Sequence, residues 1–315
     1  MCTHSFKCRF CAQCDGFGCT GELPGMGGFS NNINFQLNCA AWDNLDTNGP
    51  FALPDAPLPS VRLAPITGAV ENIGYTTEQS FYFDMIEAAD KAGVKLSIGD
   101  GYPDIKLQSG IRAVQKRQLT NPMAQAAVFI KPYPNERIFE RLEWSYSVAE
   151  IIGIDIDSHN ILTMRRLVQL EKKTAAKLIE LKRRVHIPFA LKGIFTVQDV
   201  DLVKQVKPDI VVISNHGGRV ENRTGSTAEF LAEYGVVLKN QCKELWVDGG
   251  IRKLRDIQAA GAWGVAQVMV GRPFITALCS AGAKGVESAV KNLYSPHEGS
   301  QTLPLSADSA AFLTV

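Results

Sequence analysis

The sequence predicts a (β/α)8 barrel, and two observations carry the prediction. Between residues 61 and 270, eight short apolar runs alternate with longer amphipathic stretches. The last three runs each end in glycine and polar residues, and parallel α/β barrels present their chemistry at the C-terminal ends of their strands.

Taken in order, the candidate strands are Val61 to Ile66, Val94 to Ile98, Ala127 to Lys131, Ile152 to Ile156, Pro188 to Lys192, Asp209 to Ser214, Glu244 to Val247 and Gln267 to Val270. Each is a short apolar run of the kind that forms a strand buried on both faces. The stretches Glu78 to Ala92, Asn135 to Ile151, Ile161 to Arg184, Thr224 to Lys239 and Arg252 to Ala260 are expected to be helical. Thr196 and Asp199 have the hydroxyl-x-x-acid spacing of an N-cap, so a further helix should start after the fifth strand. Leu170-Glu171-Lys172-Lys173-Thr174 is expected to lie in a charged helix, with Arg165, Arg166, Lys172 and Lys173 on its solvated face. The chain divides into a cysteine-rich metal-binding segment (1–42), a linker loop rich in Pro, Asn and Asp (43–60), the barrel (61–300) and a C-terminal tail (301–315).

At 315 residues, with 45% hydrophobic content and a formal charge of +1, the chain has apolar material for one large core. Near-neutral charge argues against nucleic-acid and membrane-surface partners. No apolar run approaches the roughly 18 residues of a spanning helix, and Met1-Cys2-Thr3-His4-Ser5-Phe6-Lys7 lacks the apolar core of a signal peptide, so a cytoplasmic protein is expected. In that setting its eight cysteines are thiols or metal ligands, not a disulfide framework.

Cys8-x2-Cys11-x2-Cys14-x4-Cys19 is a tight array of four thiols. Two-residue spacing lets one segment wrap a compact metal centre, and the pattern suits a [4Fe-4S] cluster first, tetrahedral zinc second and redox thiols third. Cys2 is an alternative fourth ligand, and Cys39, Cys242 and Cys279, with apolar neighbours, read as core residues.

The three strand-end motifs are Ser214-Asn215-His216-Gly217-Gly218-Arg219, Asp248-Gly249-Gly250-Ile251-Arg252 and Gly271-Arg272-Pro273. Glycine-rich turns offer backbone N–H groups to an anion and an arginine fork matches phosphate oxygens. Gly249, Gly250 and Arg252 with Gly271 and Arg272, after strands seven and eight, are therefore a candidate phosphate site.

Together with Leu191-Lys192-Gly193-Ile194, these motifs resemble those of the FMN-dependent α-hydroxy acid dehydrogenase/oxidase family, which includes glycolate oxidase and lactate oxidase. The likeness runs from about Val61 to Phe274 and is strongest after residue 188. It implies FMN as cofactor, a small 2-hydroxy acid as substrate, hydride transfer to flavin N5 and a homo-oligomer. The resemblance makes His216 the base, Asp157 the carboxylate that holds it, Lys192 the cation beside flavin N1 and O2, and Arg219 the clamp on the substrate carboxylate. It also assigns Pro65, Ile66 and Thr67, Ser214 and Asp248 to the cofactor, and Gly99-Asp100-Gly101, the glycine turn at the end of the second strand, is a further candidate contact. A cluster beside such a flavin would pass electrons singly to an external acceptor.

The chain departs from the family on the substrate side. The N-terminal tyrosine has no counterpart, the second tyrosine position reads Pro132 with Tyr133 one residue out, and the second arginine falls near Arg165 or Arg166. Two other readings follow. The type 2 isopentenyl diphosphate isomerases are similar FMN barrels without net redox, and Arg165, Arg166, Lys172 and Lys173 could serve a diphosphate. A flavin or metal redox sensor is the non-enzymatic reading, and His216, Lys192 and Arg219 argue against it.

Overall fold

Every apolar run becomes a parallel strand in the computed structural model, which describes residues 33–53, 57–73, 75–160, 168–220 and 222–296. The strands are β1 (Ser60–Leu63), β2 (Leu96–Gly99), β3 (Ala126–Ile130), β4 (Ala149–Asp155), β5 (Phe189–Ile194), β6 (Ile210–Ile213), β7 (Glu244–Asp248) and β8 (Val265–Val270). They hydrogen-bond in the order β1-β8-β7-β6-β5-β4-β3-β2, and a bridge between Arg62 and Lys95 joins the ends into a barrel. The helices are α1 (Ile33–Ala41), α2 (Ala69–Ile73), α3 (Glu78–Lys91), α4 (Ile105–Gln118), α5 (Asn135–Ser145), α6 (Ala175–Arg184), α7 (Val197–Val206), α8 (Thr227–Lys239), α9 (Leu254–Ala262) and α10 (Arg272–Leu293). None of the described helices is long and apolar enough to cross a membrane.

Side chains alternate along each strand, and that alternation builds two cores. Val211, Ile213, Leu245 and Val247 point outward into the layer beneath the helices. Val212, Trp246, Phe129, Ala127, Ala190, Ile151 and Met269 point inward and fill the barrel. The N-terminal end is plugged by Arg62, 1% exposed, whose guanidinium donates to Gln267 Oε1 and Glu150 Oε1, both at 2.8 Å, and lies 4.8 Å from the centre of the Trp246 ring.

The capping box expected at Thr196 and Asp199 is present and opens α7. Two helix boundaries differ from expectation. The helix from Asn135 stops at Ser145 because Ala149–Asp155 is taken up as β4, which pairs with β3 and β5. Of the helix expected over Ile161 to Arg184, α6 starts at Ala175, capped by the Thr174 hydroxyl, and the described residues 168–174 before it are not helical. Lys173 explains the difference. Its ammonium is buried and donates to Tyr133 O (2.5 Å), Glu171 Oε1 (2.7 Å) and Asn135 Oδ1 (2.8 Å), while Glu171 N donates to Pro132 O at 2.9 Å. The segment is thus held against the β3–α5 loop, so Lys173 is not on a solvated helix face. Arg165 and Arg166 lie outside the described residues, as do Cys8, Cys11, Cys14 and Cys19.

Candidate functional site

The inward positions at the C-terminal end of the barrel form a charged layer. Two residues beyond Phe129 the chain turns Lys131 inward, two beyond Gly153 Asp155, two beyond Ala190 Lys192, two beyond Val212 Ser214, and two beyond Trp246 Asp248. Period-two geometry therefore brings five polar groups from five neighbouring strands to one level, all less than a tenth exposed. Lys131 Nζ donates to Asp155 Oδ2 at 2.6 Å, and Lys192 Nζ lies 3.3 Å from Asp155 Oδ1. On its other side Lys192 donates to Ser214 Oγ at 2.9 Å, and Ser214 Oγ donates to Asp248 Oδ2 at 2.8 Å. Burial pushes the Asp155 carboxyl up, but Lys131 and then Lys192 outweigh it and hold Asp155 well below the usual range. Burial pulls the Lys192 ammonium down, and Asp155 and Asp248 reverse that, so it is firmly cationic.

His216 follows β6 in a turn whose backbone is left-handed at His216 (φ 56°), Gly217 (φ 64°) and Gly218 (φ 89°). A non-glycine residue there costs roughly 1–2 kcal/mol, so the turn needs support. Asn215 Oδ1 accepts from Gly218 N at 2.9 Å, and His216 N donates to Ser214 Oγ at 3.2 Å. The turn aims Nδ1 at Asp157, 3.2 Å from Oδ1 and 3.3 Å from Oδ2, with Asp155 Oδ1 behind at 3.6 Å. Asp157 packs on Gly193, which has φ +96° and where a Cβ would come within 2.5 Å of the carboxyl carbon. Burial, then the charge of Asp155, pushes Asp157 well up. Burial pulls His216 well down, with Lys131, Lys192 and Arg219 adding to that pull and Asp155 opposing it. With Nδ1 turned to Asp157, Nε2 is the ring nitrogen left for a substrate.

The cavity above this layer has about 930 Å³ of empty volume, open mouth included. Lys192, His216, Arg219, Asp248, Gly249, Gly250, Arg252, Gly271 and Arg272 line it, with Pro65, Ile66 and Thr67 on the opposite wall. Two buried atoms on its wall have no partner among the described residues, the donor Arg219 Nε and the acceptor Asp248 Oδ1. Helix α10 starts at Gly271 without a side-chain cap, so its positive end is open to an anion beside Arg272. The start of α9, by contrast, is satisfied internally by Asp256, which accepts from Arg252 N and Lys253 N.

Helix α1 closes one side of the site, a role with no sequence signal. The backbone oxygen of Asn38 would lie 1.8 Å from a Cβ at Gly250 (φ +83°), so glycine there admits the helix as well as any ligand. Trp42 Nε1 donates to Gly249 O at 2.8 Å, and Arg272 stacks 4.2 Å from the Phe35 ring centre while donating to Gly217 O at 2.9 Å. Arg252 Nη2 reaches Cys39 Sγ at 3.7 Å.

Among the expected site residues, His216, Asp157, Lys192, Arg219, Ser214, Asp248, Gly249, Gly250, Arg252, Gly271, Arg272 and Pro65 to Thr67 converge on this end of the barrel. Ser214 stands behind Lys192 and Asp157 behind His216. Gly99-Asp100-Gly101 does not line the cavity. Asp100 turns to the fully buried Arg141 (2.9 Å), and a Cβ on Gly99 would press on Pro65 O at 2.7 Å, so the turn supports the Pro65–Thr67 wall from beneath. Tyr133 is buried under the guanidinium groups of Arg137 and Arg141 and away from the cavity. Cys242 and Cys279 pack partly buried against the core, whereas Cys39 meets Arg252 at the site. Lys131, Asp155, Asn38 and Asn215 are the participants that the sequence reading missed. Asp155, Asp157 and His216 bring three ligand atoms within 4.8 Å of one another, but the two ammonium groups on Asp155 oppose a metal cation there.

These residues fit FMN. Arg252, Arg272 and the open end of α10 suit its phosphate, Asp248 Oδ1 a hydroxyl, Lys192 the electron-rich edge of the ring, and Ile66, Ile73 and Ile275 its apolar part. The chain is similar over 117 residues, at 38% identity, to L-lactate dehydrogenase (cytochrome) of Wickerhamomyces anomalus, the match covering 36% of this chain and 20% of the relative. It is similar to 4-hydroxymandelate oxidase of Amycolatopsis orientalis over 107 residues, at 38% identity, covering 34% and 30%. The matched segments thus span less than a third of these relatives. The crystal structure of mandelate oxidase with benzoyl-formic acid superposes with a TM-score of 0.63 at 20% identity, covering 87% of this chain and 85% of that one, a likeness of fold. Residues 74–303 match the profile of the FMN-dependent dehydrogenases. With a barrel whose mouth fits the cofactor and a match over most of its length, the chain belongs to the FMN-dependent dehydrogenase family.

Proposed function

We propose that the protein oxidises a small 2-hydroxy acid to the 2-oxo acid with FMN as its cofactor. The observation that carries the reading is His216, on the cavity wall with Nδ1 on Asp157 and the unpartnered Arg219 Nε beside it. Bound FMN supplies the acceptor for the α-hydrogen and its electron pair. The protein supplies the rest. Arg219 holds the substrate carboxylate through charge-assisted hydrogen bonds. The neutral Nε2 of His216 takes the hydroxyl proton, and Asp157 steadies the imidazolium through Nδ1. Lys192, kept cationic between Asp155 and Asp248, offsets negative charge that develops on the cavity side.

In the same proposal Cys8, Cys11, Cys14 and Cys19 hold a [4Fe-4S] cluster, with zinc the second choice, and the cluster passes electrons singly to an external acceptor. A cytoplasmic homo-oligomer completes the reading. The isomerase alternative loses Lys173, whose ammonium is committed to the β3–α5 loop. The test is addition of lactate, glycolate and mandelate to anaerobic protein. Bleaching of the flavin bands by one of them supports the oxidation, and bleaching by none of them overturns it. Iron, sulfide and zinc analysis of the same sample decides the metal.

A further inference from the structure

Asp155 competes with Asp157 for the same nitrogen. Both carboxylates are buried, and His216 Nδ1 lies 3.6 Å from Asp155 Oδ1 and 3.2 Å from Asp157 Oδ1. An unbalanced charge on Asp155 at that distance would draw the proton and the imidazole towards itself. What prevents this stands on β3. Lys131, 6% exposed, has its ammonium on Asp155 Oδ2 at 2.6 Å, the shortest contact in the charged layer, and its backbone N–H is held by Asp100 at 3.3 Å.

We propose that Lys131 is a positioning residue: by neutralising Asp155 it leaves Asp157 as the carboxylate that holds His216, and so keeps the imidazole neutral with Nε2 free. The inference rests on His216 being the base of the proposed reaction.

The charged groups around His216 all bear on this balance. The end of β3 contributes Lys131, β4 Asp155 and the turn after it Asp157, β5 Lys192, the turn after β6 Arg219, and β7 Asp248 through Lys192. Arg272 from α10 binds the backbone of the His216 turn, and His159 and Lys172 line a smaller pocket behind Asp157. Lys192 cannot replace Lys131, because it is shared between Asp155, Ser214 and Asp248 at 3.3, 2.9 and 3.4 Å.

The experiment is an NMR titration of histidine-labelled, FMN-loaded protein, the His216 signal being identified by its loss in His216→Gln. Lys131→Met should raise the His216 midpoint by about one pH unit or more, the usual effect of an unbalanced carboxylate within 4–6 Å. Lys131→Arg should keep the wild-type midpoint, and the double variant Lys131→Met/Asp155→Asn should return towards it. Where Lys131→Met fails to fold, Asp155→Asn, with its lysine left unbalanced, must titrate below the double variant. An unchanged midpoint in Lys131→Met, or equal midpoints for Asp155→Asn and the double variant, would overturn the proposal. The titration reads Lys131 whether or not any 2-hydroxy acid is turned over, so failure of the oxidase reading and failure of this one are distinguishable.

Discussion

Asn38 and Asn215 exchange side-chain hydrogen bonds across 177 residues: Asn38 Nδ2 donates to Asn215 Oδ1 at 2.7 Å, and Asn215 Nδ2 donates to Asn38 Oδ1 at 3.0 Å. The pair ties α1 to the turn that presents His216. Asn38 Oδ1 also accepts from Thr227 N at 3.0 Å, and Asn34 on the next turn of the helix donates to Val220 O and Arg223 O, each at 2.9 Å. The left-handed turn is therefore held from outside the barrel by a helix that follows the cysteine segment in the chain.

Asn38→Ala should destabilise the protein by about 1–3 kcal/mol, because it leaves buried amide groups without partners. Turnover should fall at the same time, since the His216 turn loses its outer support. Urea unfolding and kcat measured on one preparation check both, and a stable variant with unchanged kcat would contradict the role given to α1.

His216→Gln should lower turnover by about 10²–10⁴-fold, the usual contribution of a positioned general base, while flavin content stays at the wild-type level. Asp157→Asn should lose less, because the base remains but its charged form is less well held. Flavin absorbance per mole of protein together with steady-state rates tests the pair.

The pH profile follows from the burial of His216. Its folded value lies well below the ordinary histidine value of 6.5, so the base stays unprotonated as pH falls through 6.5. The profile of kcat/KM should therefore stay flat from pH 8 down through pH 6.5. The linkage has the corresponding sign. Between the folded value and 6.5 the unfolded chain binds the proton and the native state does not, so this group's contribution to stability is lost as pH drops below 6.5. An acid limb centred at or above 6.5 would contradict the account.

Arg141→Met should cost about 3–5 kcal/mol, the usual penalty for stranding one member of a fully buried ion pair. Burial raises the Asp100 carboxyl from 3.8 to about 6 even with Arg141 present. Between those values the native state holds a proton that the unfolded chain has released, so the contribution of Asp100 falls as pH rises through that window. Without Arg141 the folded value rises further, and the variant should be penalised more at pH 8 than at pH 5 in urea unfolding.

The strands were legible because each is largely buried on both faces and so reads as a short, mainly apolar run, and all eight strands overlap the runs that predict them. Helix limits were less legible. Lys173 looks solvent-facing in sequence but is held by three oxygens, two of them 38 and 40 residues away. In the site, the glycine-marked motifs pointed to His216, Asp248 and Arg272 because their local backbone is unusual. Lys131 and Asp155 lie at ordinary strand ends and could have been found by counting two residues past Phe129 and Gly153. No local pattern reveals Asn38, since its partner is reached only through the closed barrel.

A visible spectrum of anaerobically purified protein, taken before and after addition of lactate, glycolate and mandelate, tests whether the protein oxidises a 2-hydroxy acid. The flavin bands should bleach with at least one of the three in the wild type and persist in His216→Gln. Protein without flavin bands, or flavin that no 2-hydroxy acid reduces, would contradict the proposed oxidation.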